Sequence, residues 1–466
     1  MRATQLIFLL ALLITQVLCE TYYLSATGST EEGDGTETNP FSSFAKAFNA
    51  TDGSSPLELY VFPGLYAGED NTGVSYAGAL TINWYQNNTA EEGDPTTVEI
   101  DCTSSQALAC LSSGTSITIN GLDESENPQI IFQDCGICVS INKTTEEKSA
   151  SYFVDIEGVT FDEVTQYAVF ADNIYQATIS NSSFTDNDAA GLTLISLSNV
   201  DELIEILDNY FSSTNQNALF LFNVTKAEVY RNTFENAFIF AQGLNSASQV
   251  LITNNTFSSN ANIVASTYVV TLNIGTFTVE STKFNTQGIS ALKSSMSPTT
   301  SILGSSFEMG DGIDGGAAYF ENVDTVTVSE NCYFYQNIAS GFGGAIYLVN
   351  SSIHMDATNF TGNVAVNGAA IGCAGNETVS YDNTTVVFLG NSNLGPGTDL
   401  SYIQNTCNIQ IQSFQTSLVV STIDNSSDAW IWILVSIAIV FIVLIIIAVA
   451  VFVIYQRKRQ SYTRMD

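Results

Sequence analysis

The stretch Asn254-Asn255-Thr256-Phe257-Ser258-Ser259-Asn260 restates Asn181-Ser182-Ser183-Phe184-Thr185-Asp186-Asn187 and, more loosely, Asn232-Thr233-Phe234-Glu235-Asn236. Each copy is a polar pair, then a phenylalanine, then an asparagine within a few residues. Phenylalanines in this setting stand at 161, 184, 211, 234, 257, 284, 307, 334 and 360, separated by 23, 27, 23, 23, 27, 23, 27 and 26 residues. Between them lie short alternating runs such as Ala218-Leu219-Phe220-Leu221-Phe222 and Tyr268-Val269-Val270-Thr271-Leu272, which read as strands wound into a coil. One coil cannot bury its apolar side alone, so like residues must stack on like at the strand spacing of about 4.8 Å. Helical repeats have periods of roughly 33–45 residues and need more charged helix formers than this chain has; leucine-rich repeats fit the period but not the composition. The predicted fold is all-β: a right-handed parallel β-helix of about 14 coils of about 23–27 residues, with a phenylalanine ladder inside and asparagine ladders at a turn.

Outward from the repeat, the two ends of the chain change character. Met1-Arg2, the apolar run from Leu6 to Val17, and Leu18-Cys19-Glu20 have the three regions of a secretory signal peptide, so residues 1–19 are expected to be removed. Residues 429–455 carry no charge over 27 positions and are rich in Ile, Val and Leu, which predicts one C-terminal transmembrane α-helix. Trp430, Trp432 and Tyr455 mark its interfaces, and Arg457, Lys458 and Arg459 orient it with the tail in the cytoplasm. The expected domains are then a β-helix over 20–408 with its N-terminal cap at 20–55, a stalk at 409–428, the span, and a tail at 456–466. This predicts a single-pass type I protein integral to the plasma membrane, the endolysosomal membrane or both.

Charge narrows the partners. Between the two hydrophobic segments stand 46 acidic and seven basic residues, a net charge of −39, which excludes nucleic acid because a phosphate backbone requires a Lys/Arg-rich surface. Eleven Asn-x-Ser/Thr sequons occupy the same region, at Asn49, Asn87, Asn142, Asn181, Asn223, Asn254, Asn350, Asn359, Asn376, Asn383 and Asn425. Asn181 and Asn254 lie three residues before their inward phenylalanines and Asn359 one before, so their glycans are expected on the outer wall. Beyond Cys19, seven cysteines remain: 102, 110, 135, 138, 332, 373 and 407. An oxidising compartment makes disulfides the expectation, with one thiol left over and the connectivity open. Cys135-Gly136-Ile137-Cys138 has zinc or redox spacing, but with no second CxxC and only His354 in the chain, no metal or cofactor is expected.

Phe334-Tyr335-Gln336-Asn337 followed by Gly343-Gly344-Ala345-Ile346, and Phe360-Thr361-Gly362-Asn363 followed by Gly368-Ala369-Ala370-Ile371, resemble the paired FxxN and GGAI repeats of chlamydial polymorphic outer membrane proteins. Tyr22-Tyr23-Leu24-Ser25 through Asn39-Pro40-Phe41 is similar to the N-terminal cap of pectate-lyase-like β-helices. That resemblance implies a parallel β-helix, and it raises an enzymatic alternative, because such folds often cleave polysaccharides. Their lyases use an Arg or Lys base with calcium on aspartates, whereas Arg231 is the only arginine between the hydrophobic segments here. The Gly-His-Gly and Arg-Ile-Lys motifs of the related polygalacturonases are missing. Tyr462-Thr463-Arg464-Met465 resembles the tyrosine-based sorting signal of lysosome-associated membrane proteins, which implies clathrin adaptors as partners of Tyr462 and Met465.

Neutral-glycan hydrolysis needs only two carboxylates, for which Asp311 with Asp314, or Asp186 with Asp188, are candidates; Asp beside Gly is also ordinary turn chemistry. Glu31, Glu32, Asp34 and Glu37 offer loose calcium ligation or simply a solvated loop. His354, in Ile353-His354-Met355, reads as a surface residue. The expected function is a non-catalytic membrane glycoprotein displaying a β-helix for adhesion, recognition or membrane protection, with carbohydrate or protein ligands at its surface. The alternative is a membrane-anchored polysaccharide-processing enzyme.

Overall fold

The computed structural model describes residues 19–412 apart from 30–32, 54, 87–94, 104–108, 143–151, 188–192, 244–246, 260–266, 395–401 and 405. Within these residues the phenylalanine spacing becomes geometry. Phe161, Phe184, Phe211, Phe234, Phe257, Phe284, Phe307, Phe334 and Phe360 are all fully buried, and each ring stacks on the next. Phe132 and Phe388 extend the column at 5.5 Å and 5.1 Å. Every strand pairing between coils is parallel, and the registers place Phe on Phe: Phe211↔Phe234, Phe234↔Phe257, Phe257↔Phe284.

Each coil passes through two long sheets. The first stacks 15 strands, from Glu20–Ser29 to Asn408–Gln412. The second has 23, its two ladders joined where Tyr210–Val224 and Thr233–Gln242 run through the bend without a break. The solenoid has about twelve turns. That corrects the expectation of about 14 coils. Among the described residues a short four-stranded ladder of Asp311–Gly312, Ile338–Ala339, Val364–Ala365 and Ser392–Asn393 forms a third wall in the last coils.

Corners explain the abundance of asparagine. At one corner Asn181, Asp208, Arg231 and Asn254 hold φ between 49° and 58°, and at another Asn173, Asn199, Asn223, Asn273 and Asn322 hold φ between 53° and 55°. Asparagine is the non-glycine residue that enters this left-handed region most readily. The residue after the first corner turns inward and closes a polar ladder: Asn209 N donates to Asn232 Oδ1 at 2.9 Å, Asn232 N to Asn255 Oδ1 at 2.9 Å, and Asn255 N to Thr282 Oγ1 at 3.4 Å. The asparagines of the FxxN motifs build a second such ladder, Asn337 on Asn363 on Asn391. In the GGAI turn, Gly343 sits at φ 65°, and a Cβ on Gly344 would strike the backbone oxygens of Ala369 and Val364 in the next coil. Glycine there is a requirement of coil-to-coil contact.

The N-terminal end is capped. Ser43 N-caps the short helix Phe44–Asn49, accepting from Lys46 N at 3.4 Å, and Phe44 and Phe48 pack against Tyr66 and Tyr76 at 5.7 Å and 5.3 Å. This covers the first apolar rung, which otherwise would expose core side chains. Among the described residues no helix is long and apolar enough to cross a membrane. The span at 429–455, residues 1–18 of the signal peptide, and the tail with Arg457, Lys458, Arg459, Tyr462 and Met465 lie outside the described residues.

Candidate functional site: an aromatic stripe on the outer wall

Alternation along a strand puts every second side chain outside. In the second sheet one outward register runs Phe170, Ser196, Phe220, Phe240, Val270, Lys293, Tyr319, Tyr347 and Gly372. The inward neighbours Val169, Ile195, Leu219, Ile239, Val269, Leu292, Ala318 and Ile346 are buried and hold these strands against the core. Phe170, Phe220, Phe240, Tyr319 and Tyr347 are half-buried, so each ring is braced by its neighbours and still offers surface.

The rings are close-spaced. Phe220 and Phe240 stack at 5.2 Å with planes 8° apart, and Tyr167 lies 5.2 Å from Phe170. Further along, Tyr319 and Tyr347 are 5.7 Å apart, Phe342 stacks on Tyr347 at 6.0 Å, and Lys293 Nζ sits 5.0 Å over the Tyr319 ring. Burial first, then the nearby carboxylates of Glu321 and Asp314, push the Tyr319 phenol above its ordinary pKa; burial and then Asp314 and Glu377 do the same for Tyr347. Both phenols are therefore neutral donors at physiological pH. A stripe of rigid, half-exposed rings on a fixed ladder suits stacking against planar or sugar faces.

Of the carboxylates singled out in the sequence, Asp314 borders this stripe. Asp311 lines an open groove of about 560 Å³ with Gln287, Met309, Gln336, Ile338 and Val364, and burial raises its pKa. Asp314 is committed to a turn, accepting from Phe342 N at 2.8 Å. Asp188 and the side chain of Asp186 lie outside the described residues, as do Glu31 and Glu32. Asp34 accepts from Thr36 N and Oγ1 at 3.0 Å and 2.7 Å, and these bonds lower its pKa; Glu37 accepts from Tyr85 at 2.8 Å. His354 faces outward between Thr327 and Ser380, its Nδ1 3.4 Å from Ser380 Oγ. Arg231 forms a two-pronged pair with Asp208 at 2.8 Å and 2.6 Å, a carboxylate partner one coil back that its sequence neighbourhood does not reveal.

Of the sequons, Asn49, Asn254, Asn350, Asn376 and Asn383 are exposed and Asn181, Asn223 and Asn359 partly so; Asn87, Asn425 and the side chain of Asn142 lie outside the described residues. Two disulfides form, Cys102–Cys110 and Cys373–Cys407, the latter tying the last strands together. Cys332 occupies the polar-ladder position after a corner, and burial pushes its thiol up to about 11. Cys135 and Cys138 are fully buried, and Cys102, Cys110 and Cys135 place their sulfurs within 4.8 Å of one another.

Residues 138–307 match the family model described as the right handed beta helix region. Among solved structures the chain is similar to the GH136 lacto-N-biosidase of Eubacterium ramulus, as native protein and as selenomethionine derivative. Both alignments are 10% identical and cover 84% of this chain and 68% of that one, with TM-scores of 0.30 and 0.27. No curated protein sequence matches the chain. In its described residues the chain is a right-handed parallel β-helix.

Proposed function

We propose that the protein is a non-catalytic, single-pass type I membrane glycoprotein whose β-helix serves adhesion or recognition, with the aromatic stripe of the second sheet as its binding wall for carbohydrate. The observation that supports it is the outward ladder itself: Phe220, Phe240, Tyr319 and Tyr347 are half-buried and leave part of each ring at the surface on a rigid scaffold. The strongly negative surface disfavours acidic polymers and leaves neutral glycans as the fitting class. A second reading, a glycan-processing enzyme, draws on Asp311, whose burial-raised carboxyl lines a groove as a general acid would. Its candidate partner in the sequence, Asp314, accepts from the Phe342 N–H.

Binding of the full-length protein in detergent to a panel of neutral polysaccharides separates the two. Retention without release of reducing ends, weakened at least about tenfold in Phe240→Ala/Tyr319→Ala, is the expected result, tenfold being about 1.4 kcal/mol. Reducing ends that appear with the wild type and vanish with Asp311→Asn would instead establish the enzyme. No retention of any glycan would remove the binding wall.

The tail completes the reading: Tyr462 and Met465 engage clathrin adaptors and cycle the protein to endolysosomes. Tyr462→Ala is expected to raise surface abundance and slow internalisation in a surface-labelling assay. Equal rates for variant and wild type would remove the sorting role.

A further inference from the structure

Four cysteines meet inside two adjacent coils. Cys102 follows the strand Val98–Asp101 and Cys110 precedes Leu111–Ser113; one coil on, Cys135 follows Ile130–Gln133 and Cys138 lies in Ile137–Asn142. The registers Asp101↔Gln133 and Leu111↔Val139 set the second pair directly against the first. Cys102 N donates to Gln133 O at 3.0 Å and Cys110 N to Ile137 O at 2.7 Å, so the backbone holds that alignment. Cys102 and Cys110 are bonded to each other. The Cys135 sulfur lies 2.9 Å from the Cys102 sulfur, and Cys135 is in turn a hydrogen-bond partner of Cys138. The sulfurs therefore form a chain, Cys110 to Cys102 to Cys135 to Cys138, with a disulfide at one end and a dithiol at the other.

We propose that these four residues are one intramolecular dithiol–disulfide exchange site, in which the single oxidised bond is held either as Cys102–Cys110 or as Cys135–Cys138. Cys135, as thiolate, attacks the Cys102 sulfur. The Cys102–Cys110 bond breaks, Cys102–Cys135 forms, and the electron pair leaves on Cys110, which takes up the proton released by Cys135. Cys138 then attacks the Cys135 sulfur, Cys135–Cys138 forms, and Cys102 departs as the thiol with the second proton. Electrons and protons balance without an external oxidant. The first state closes the eight-residue separation between Cys102 and Cys110; the second closes the Gly136-Ile137 turn instead. Burial pushes the Cys138 thiol well above its ordinary pKa, which keeps exchange slow in the folded protein.

Peptide mapping of the full chain under non-reducing conditions tests this, after equilibration in mildly alkaline buffer, acid quenching and blocking of free thiols. The wild type is expected to yield Cys102–Cys110 from some molecules and Cys135–Cys138 from others. Cys138→Ala should accumulate the trapped Cys102–Cys135 bridge, and Cys135→Ala should lose every bridge among these four cysteines but Cys102–Cys110. Three results overturn the proposal: Cys102–Cys110 as the sole bridge among the four in the wild type, both Cys102–Cys110 and Cys135–Cys138 together in one wild-type molecule by intact mass, or one bound metal ion per chain with no bridge among the four. The wild-type arms stand even where a variant fails to fold.

Discussion

Replacing Phe257 with alanine is expected to destabilise the β-helix by about 3–5 kcal/mol, read as a lowered urea midpoint at unchanged slope. The ring is fully buried, stacked at 4.6 Å on Phe234 and 4.7 Å on Phe284, with Tyr268 edge-on at 5.8 Å. Truncation removes its transfer free energy and its aromatic contacts on both sides at once. It also leaves a cavity that cannot collapse, because Thr256–Ser258 is fixed in register to Thr233, Phe234 and Glu235 before it and Lys283, Phe284 and Asn285 after it. In a linear array each coil touches only its neighbours, so the damage is concentrated at two interfaces in mid-stack. Phe388→Ala is the internal control: that ring is half-buried near the C-terminal end and is expected to cost less than half as much. A loss below about 1 kcal/mol for Phe257→Ala would mean that the column is not what holds the coils together.

The column was legible because phenylalanine is distinctive and its spacing narrow. Phe132 and Phe388 escaped that reading for a physical reason: they lie 29 and 28 residues from the next ring, outside the 23–27 window. In the second case the turn at Asp382, where Thr384 N and Oγ1 donate to the carboxylate at 2.8 Å, lengthens the coil. The aromatic stripe was illegible for the same kind of reason. Its rings follow the inward phenylalanine by as few as six residues, Phe234 to Phe240, and as many as 13, Phe334 to Tyr347. Variable bends between the two faces hide a ladder that only the strand register exposes. Outward aromatics inside apolar alternation were the available signal. The cysteine cluster needs the same cross-coil register, since 25 residues of chain separate Cys110 from Cys135. Corner asparagines, by contrast, announced themselves through composition, although which of them turn inward depends on the one-residue step past each left-handed position.

That step governs the second large effect. Asn232→Leu is expected to cost several kcal/mol although it makes the interior more apolar. Asn232 Oδ1 accepts from Asn209 N and Nδ2 at 2.9 Å and 3.1 Å, while its Nδ2 donates to Ile206 O at 2.8 Å, to Tyr230 O at 3.1 Å and to Asn255 Oδ1 at 3.1 Å. Leucine orphans donors and acceptors on both neighbouring coils, each at about 1–3 kcal/mol once water is excluded. Asn232→Thr should be milder, because Thr282 already fills the equivalent place two coils on, accepting from Asn255 N at 3.4 Å and donating to Glu280 O at 2.9 Å. Asn232→Asp adds a test with a sign. Its carboxyl would keep the acceptor but face the Ile206 and Tyr230 carbonyls, so burial and those oxygens raise its pKa in the folded state above the unfolded value. The folded protein then binds the extra proton more tightly, and stability falls as pH rises from the unfolded carboxyl's pKa through the raised one. Denaturant midpoints across acidic to neutral pH read this directly. If Asn232→Leu matches the wild type, the polar ladder is incidental to the coil, and the phenylalanine column alone sets its stability.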